Sequence, residues 1–110
     1  MPVEDISYTS PGTLRDLFAR HGGAIRKRLG QNFLMDPGSI RRIAAVVREL
    51  GAGSKAWAEI GPGAGALTAE LLKERNITAL EIDPVAIKIL EERFALELEA
   101  GRLQIMAGDA

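Results

Sequence analysis

The spacing of apolar residues predicts helices in the first half of the chain. Between residues 37 and 50 the apolar positions recur every three or four residues, and Asp36-Pro37 supplies an N-cap followed by proline at the first helical position. Gly51 follows the last apolar position and is typical of a helix end. We therefore predict a helix over residues 37–50 and a shorter one over residues 13–20.

The second half of the chain alternates short apolar runs with amphipathic stretches. Helical spacing predicts one helix over residues 66–75 and another that begins after an Asp83-Pro84 cap and continues to about Glu99. The order of strand, helix, strand, helix and strand predicts an α/β fold, the N-terminal βαβαβ portion of a doubly wound parallel sheet. The three predicted strands cover residues 56–60, 77–82 and 102–106.

The pattern divides the chain into two regions. Residues 1–24 contain a polar leader and the short helix, and residues 25–110 contain the predicted α/β domain. Only residues 107–110 come after the third predicted strand, whereas an α/β domain normally continues with further strands that cover its open edge. We therefore expect residues 25–110 to be the first part of a larger domain.

The overall composition is that of a soluble globular protein. Apolar residues make up 46% of the chain, and 14 Lys and Arg balance 15 Asp and Glu. No apolar run approaches the roughly 18 residues of a membrane span, and the acidic N-terminus has no signal-peptide core. The chain lacks cysteine, and its one histidine, His21, is expected to be a surface or helix-end residue without a partner. We expect a cytoplasmic protein that uses neither a membrane nor a metal.

Basic side chains are concentrated in the first half of the chain. Residues 1–50 contain 8 basic and 5 acidic side chains, against 6 and 10 in residues 51–110. The cluster Arg26, Lys27 and Arg28 is suited to the phosphate backbone of RNA. The alternative is a charged surface that only keeps the protein in solution.

The strongest chemical signal is a glycine-rich turn after the first predicted strand. Gly61, Gly63 and Gly65 are spaced as G-x-G-x-G directly before a predicted helix. Glycine lets the backbone approach a ligand closely, and the helix N-terminus behind it presents free N–H groups to negative charge. The alternative is a turn that only packs the helix closely against the strand.

Two carboxylates are predicted at the same edge of the sheet as this turn. Glu81 ends the second strand, 20 residues after Gly61, where it could accept hydrogen bonds from both hydroxyls of a ribose. Asp109 follows the third strand and could accept a hydrogen bond from the amino group of adenine. A solvated carboxylate is the alternative for each. The glycine spacing differs from the G-x-G-x-x-G of dinucleotide sites, which favours S-adenosylmethionine.

Four motifs occur in order between residue 26 and the last residue. They are RKRLGQNFLMD (26–36), EIGPGAGALT (59–68), LEIDP (80–84) and GDA (108–110). Together they resemble the ribosomal RNA adenine dimethyltransferases, and the LGQNFL segment and the proline of GPG are more similar to the small-subunit enzymes than to the antibiotic-resistance enzymes. The resemblance implies the Rossmann-like fold of S-adenosylmethionine-dependent methyltransferases.

The resemblance also implies where the cofactor is bound. In that family the Gln-Asn-Phe-Leu loop closes over S-adenosylmethionine, the glycine turn lines its methionine end, and the two carboxylates bind its ribose and adenine. The implied roles of the turn and the carboxylates agree with their predicted positions at the sheet edge. The candidate cofactor-binding residues are Gln31, Asn32, Leu34, Gly61, Gly63, Glu81 and Asp109.

The function implied by the resemblance is dimethylation of the amino groups of two adjacent adenines near the 3′ end of small-subunit rRNA. The enzyme would act as a monomer on a pre-30S-type particle. The family's Asn-Leu-Pro-Tyr motif, which holds the target adenine, and its helical C-terminal domain lie outside these 110 residues. We therefore assign no catalytic residue and expect the chain alone to be inactive.

Two other functions remain open from the sequence. The first is a non-catalytic RNA-binding or ribosome-assembly module that uses the basic first half and keeps a truncated methyltransferase fold as its scaffold. The second is a fragment of a dinucleotide oxidoreductase, which the glycine spacing and the QNFL loop both disfavour.

Overall fold

The computed structural model describes residues 36–109 and, before them, Asp16, Ala19, Arg20 and His21. The first three of these four residues are helical, in agreement with the short helix predicted over residues 13–20. None of the helices within these ranges is long and apolar enough to cross a membrane. From residue 36 onward the elements are α1 (Pro37–Leu50), β1 (Ala56–Ile60), α2 (Ala66–Leu71), β2 (Asn76–Glu81), α3 (Pro84–Arg93), α4 (Ala95–Glu99) and β3 (Leu103–Ala107).

Helix α1 begins and ends where the sequence predicts. The Asp36 carboxylate accepts hydrogen bonds from the backbone N–H groups of Gly38 and Ser39, each at 3.2 Å. These bonds satisfy two of the donors that the first turn of a helix leaves unpaired. At the other end the N–H of Gly51 donates to the carbonyl of Val47 at 2.7 Å. Local signals are therefore sufficient to set both ends of this helix.

The three strands form one parallel sheet in the order β1, β2, β3. Ile60 pairs with Leu80, and Leu80 pairs with Met106, so the three strands end at the same edge. Helix α2 connects β1 to β2, and α3 with α4 connects β2 to β3. This arrangement confirms the predicted α/β fold with its parallel βαβαβ order.

One face of the sheet packs against the helices and forms the core. Along β2 the side chains alternate, so that Ile77 and Ala79 are buried while Thr78 and Leu80 are half-buried. This packing fixes the strands relative to the helices and so fixes the edge at which the strands end. The core cluster also contains Ala44, Leu71, Leu72, Leu90, Phe94 and Leu103.

Two helices differ from their predicted lengths. The helix predicted over residues 66–75 ends at Leu71, because the N–H of Glu74 donates to the Leu71 carbonyl and closes a tight turn there. The helix predicted to continue to Glu99 is interrupted at Phe94, whose φ of −112° and ψ of 33° are not helical. The ring of Phe94 is buried in the core, and this packing holds the backbone at the interruption.

His21 directly follows the helical residues Ala19 and Arg20, as a helix-end residue would, but it has a partner, so the expectation that it has none is wrong. Its Nε2 atom lies 2.7 Å from Oε2 of Glu92, and the Arg20 guanidinium donates to Oε1 of the same carboxylate at 3.1 Å. The end of the predicted first helix therefore contacts α3. The sequence contains no signal for this contact, because the partners are 71 residues apart.

Candidate functional site

The candidate site lies where the three parallel strands end. The chain leaves β1 through the glycine turn, and the N–H of Gly61 donates to the carbonyl of Leu80 at 2.8 Å. On the other side of β2, the N–H of Gly108 donates to the carbonyl of Glu81 at 3.0 Å. These bonds bring the glycine turn, the end of β2 and the segment that follows β3 to one edge, where α/β folds bind their ligands.

The glycines of the turn adopt backbone conformations that other residues rarely adopt. The φ angles of Gly61, Gly63 and Gly65 are 67°, 58° and 90°. A Cβ atom on Gly61 would meet no heavy atom within 4 Å, whereas one on Gly65 would lie 2.5 Å from Cε2 of Phe94. Gly65 is thus required by packing, while Gly61 borders open space that a ligand could fill.

Glu81 is held in place by the backbone around it. Its side chain is buried, with only 4% of the residue exposed. One carboxylate oxygen accepts a hydrogen bond from the N–H of Gly63 at 2.9 Å, and the other accepts from the N–H of Asp83 at 3.0 Å. Each oxygen has a second lone pair, so the fixed carboxylate can still accept hydrogen bonds from two hydroxyl groups. The burial contradicts the solvated alternative for this residue.

Asp109 lies on the same edge of the sheet, after the end of β3. It is exposed and follows Gly108, whose N–H is bonded to the end of β2. The structure therefore brings Asp109 to the side of the sheet on which Gly61 and Glu81 lie. Its expected contact with adenine stays a prediction.

A third acidic residue, Glu59, lies beside the glycine turn and is not among the site residues predicted from the sequence. Glu59 is the penultimate residue of β1, and its Oε1 accepts a hydrogen bond of 2.6 Å from the hydroxyl of Thr68 in α2. Burial raises the pKa of the Glu59 carboxyl above its ordinary value. The hydrogen bond from Thr68 opposes that shift, and the neighbouring Glu81 carboxylate adds to it. The signal that could have identified it is a glutamate that interrupts the apolar run of a predicted strand.

Six of the candidate residues lie outside the described part of the chain, and their roles stay predictions. Among the residues that the structure does describe, no group of three or more acidic or histidine side chains is arranged to hold a metal ion. The six residues are Gln31, Asn32 and Leu34 of the loop and Arg26, Lys27 and Arg28 of the basic cluster.

The fold is that of the Rossmann-like, S-adenosylmethionine-dependent methyltransferases. A protein from Pyrococcus horikoshii that is provisionally assigned as an RNA methyltransferase matches with a TM-score of 0.65 and 18% identity, over 86% of this chain and 50% of its own. A protein from Klebsiella pneumoniae that is provisionally assigned as an O-methyltransferase matches with a TM-score of 0.61 and 20% identity, over 91% of this chain and 44% of its own. The N-terminal domain of EvdMO1, solved with SAH bound, matches with a TM-score of 0.54 and 24% identity, over 69% of this chain and 31% of its own.

Sequence similarity narrows this class to one family. Residues 22–110 match the model of the family described as ribosomal RNA adenine dimethylase, and the chain belongs to that family. The ribosomal RNA small subunit methyltransferase A of Chelativorans sp. is 48% identical over 99 residues, which are 88% of this chain and 34% of the relative. That of Thermobifida fusca is 38% identical over 109 residues, 96% of this chain and 37% of the relative.

These matches confirm the resemblance inferred from the four motifs. They also show that the chain spans about a third of the length of the curated relatives it matches. S-adenosylmethionine is the cofactor of the family.

Proposed function

We propose that the chain forms the cofactor-binding part of an enzyme that dimethylates the amino groups of two adjacent adenines near the 3′ end of small-subunit rRNA. The observation that carries the proposal is the Glu81 carboxylate, fixed by two backbone N–H groups beside the open space at Gly61. Membership of the family supports adenine in rRNA as the substrate class. The names of the relatives support the small subunit.

The residues of this chain would bind and orient the cofactor. S-adenosylmethionine, when bound, supplies a methyl group that is already activated by a positively charged sulfur. Gly61 would leave room for the methionine end, and Glu81 would accept hydrogen bonds from the ribose hydroxyls. Asp109 would accept a hydrogen bond from the adenine amino group. The contribution of these residues is alignment of the methyl group, since the transfer needs little acid–base chemistry from this part of the protein.

The RNA contacts of the proposed enzyme involve the first half of the chain. Arg26, Lys27 and Arg28 would contact phosphates, and Gln31, Asn32 and Leu34 would close over the cofactor once it is bound. The substrate would be a pre-30S-type particle in the cytoplasm, and the enzyme would act on it as a monomer. Phosphate contacts of this kind make RNA affinity fall with increasing salt.

Cofactor affinity of the full-length gene product tests the site. We expect Gly61→Val to weaken S-adenosylmethionine binding more than a hundredfold, because the new side chain fills the ligand space and is strained at a φ of 67°. Glu81→Gln should weaken binding by about tenfold to a hundredfold, since it removes a charged acceptor of hydrogen bonds. Isothermal titration calorimetry measures both effects.

Gly53→Val is the matched control, because a Cβ at Gly53 meets no atom within 4 Å and its φ is not positive. Circular dichroism of each variant separates loss of binding from loss of fold. Wild-type affinity in folded Gly61→Val would show that the site has been assigned wrongly.

The reaction is tested by expressing the full-length gene in a bacterium whose small-subunit rRNA lacks the modification. Mass spectrometry of the digested rRNA should then show N6,N6-dimethyladenosine at two adjacent positions. RNA binding that is salt-dependent, insensitive to S-adenosylmethionine and accompanied by no methylation would instead support the non-catalytic module.

A further inference from the structure

Two carboxylates approach the glycine turn from different strands. Glu81, at the end of β2, accepts a hydrogen bond from the N–H of Gly63 within the turn. Glu59, near the end of β1, accepts the 2.6 Å hydrogen bond from Thr68, which lies in the first turn of α2 and has no exposed surface. The turn is therefore held by Glu81 at its middle, while Glu59 and Thr68 connect its two ends.

Few other bonds hold the backbone of this turn. The N–H of Gly65 donates to the carbonyl of Pro62 at 3.0 Å, the N–H of Gly61 donates to β2, and the Arg93 guanidinium of α3 donates to the carbonyl of Ala64 at 2.9 Å. All three glycines of the turn have positive φ angles, and glycine loses more conformational entropy on ordering than any other residue. A bond that links the strand before the turn to the helix after it therefore restricts a segment that is flexible by composition.

We propose that Glu59 and Thr68 are positioning residues, whose hydrogen bond holds the glycine turn in the conformation that binds the cofactor. The identity of that cofactor rests on the proposed function, whereas the shape of the turn does not. Neither residue needs to touch the cofactor for this role. Thr68 acts only through Glu59, because its side chain is fully buried.

The electrostatics of the pair agree with this role. The Thr68 hydroxyl favours the charged form of Glu59 and so opposes the effect of burial on its pKa. Among the described residues, the charged group that acts on Glu59 is the Glu81 carboxylate of β2. Without the hydroxyl, Glu59 would take up a proton at a higher pH, and the turn would lose a negative charge beside a cofactor that carries positive charge.

Three threonine variants test the role of the hydroxyl. Thr68→Val keeps the shape of the side chain and removes the hydroxyl, while Thr68→Ser keeps the hydroxyl. Thr78→Val is the matched control, since Thr78 is half-buried on the opposite face of β2 from Ala79 and Glu81. Two quantities are measured on the full-length protein: amide hydrogen exchange of the turn without cofactor, and the Kd of S-adenosylmethionine between about pH 5.5 and 8.5.

We expect Thr68→Val to speed exchange at Gly63 and Gly65 and to weaken cofactor binding by about threefold to tenfold, with a larger loss at low pH. Thr68→Ser should restore both values, and Thr78→Val should change neither. Should Thr68→Val fail to fold, Glu59→Ala replaces it. That variant removes the acceptor of the same hydrogen bond, so it should also speed exchange at Gly63 and Gly65, and wild-type exchange in folded Glu59→Ala would overturn the proposal.

Unchanged exchange in Thr68→Val would overturn the proposal, and so would equal losses in Thr68→Val and Thr68→Ser, which would make packing the cause. The failure of the proposed function has a different outcome. In that case wild-type protein would not bind S-adenosylmethionine, while Thr68→Val would still speed exchange in the turn and Thr68→Ser would still restore it.

Discussion

Gly61 and Gly65 occupy the same turn, but they are constrained by different parts of the molecule. Gly61 borders open space, so no neighbouring side chain excludes a larger residue there. Only its positive φ and a bound ligand would disfavour a substitution. Gly65 is buried, and an added Cβ would lie 2.5 Å from Phe94 and 3.0 Å from Leu90. The same motif thus combines a binding requirement with a packing requirement, which predicts different effects of substitution.

We expect Gly65→Ala to lower the free energy of unfolding by about 2 kcal/mol or more, because overpacking and a positive φ each destabilise a non-glycine residue. Gly53→Ala is the matched control and should leave stability within about 0.5 kcal/mol of wild type. Urea denaturation measures both. A wild-type midpoint for Gly65→Ala would mean that the Phe94 ring can move away from the new methyl group.

The raised pKa of Glu59 makes its contribution to stability fall as pH rises. The folded state holds this proton more tightly than the unfolded chain does, so protonation favours folding. The contribution is complete below the ordinary pKa of 4.5 and is lost as pH rises through the higher pKa of the folded state. Glu59→Gln should therefore gain stability relative to wild type as pH rises from 4.5 toward about 7. Denaturation curves at several pH values measure the difference, and a difference that is constant with pH would contradict this.

At the scale of residues, the sequence predicted the parts of the site that depend on chain order. Gly61 and Glu81 are separated by one helix and one strand, so their spacing and the rule for parallel sheets suffice to place both at one edge. The hydrogen bond between Glu59 and Thr68 was not predicted. It depends on how the chain reverses through the turn, and although a glutamate within a strand is unusual, nothing in the sequence specifies Thr68 as its partner.

Helix ends differ in how local their causes are. Both ends of α1 are set by residues within the helix or next to it, namely the Asp36 cap and Gly51. At the interruption between α3 and α4 the sequence contains no glycine or proline, the residues that usually mark a helix end. It results from the burial of Phe94 against residues that are distant in sequence, Gly65 among them. Patterns of helical spacing predict the first kind of boundary and cannot predict the second.

The Asp36 cap should respond to pH with the opposite sign to Glu59. The hydrogen bond from the Ser39 side chain, followed by that from the Gly38 N–H, lowers the pKa of Asp36 below its ordinary value of 3.8. The stabilising contribution of the cap is therefore present above pH 3.8 and is lost as pH falls through the lower pKa of the folded state. We expect Asp36→Ala to lower the Tm at neutral pH, with a difference from wild type that narrows in acid.

Asp36→Asn is the control for this prediction, because its side-chain oxygen can cap the helix without a charge. Its Tm should lie between those of Asp36→Ala and wild type at neutral pH. Equal Tm values for Asp36→Ala and wild type at neutral pH would show that the cap contributes nothing measurable.

For the molecule as a whole, the sequence predicted the order and direction of the strands, but not which face of the sheet the helices cover. Connections long enough for a helix between apolar strands favour parallel pairing, and the register confirms it. The helices cover the face that carries Ile77 and Ala79, whereas Ile60 and Met106 are 63% and 54% exposed. Buried parallel strands are apolar on both faces, so their pattern does not reveal which face is covered within a given stretch of chain.

Binding of the cofactor should be visible in the stability of the whole molecule. A ligand that binds only the folded state at 100 times its Kd stabilises that state by about 2.7 kcal/mol. We expect S-adenosylmethionine to produce this stabilisation in the full-length protein and in Gly53→Val, and to produce none in Gly61→Val, since the turn is where the ligand meets the fold. Thermal unfolding with and without cofactor measures it. Greater stabilisation by a nicotinamide dinucleotide would contradict the assignment and favour an oxidoreductase, because the two cofactors would compete for the same edge of the sheet.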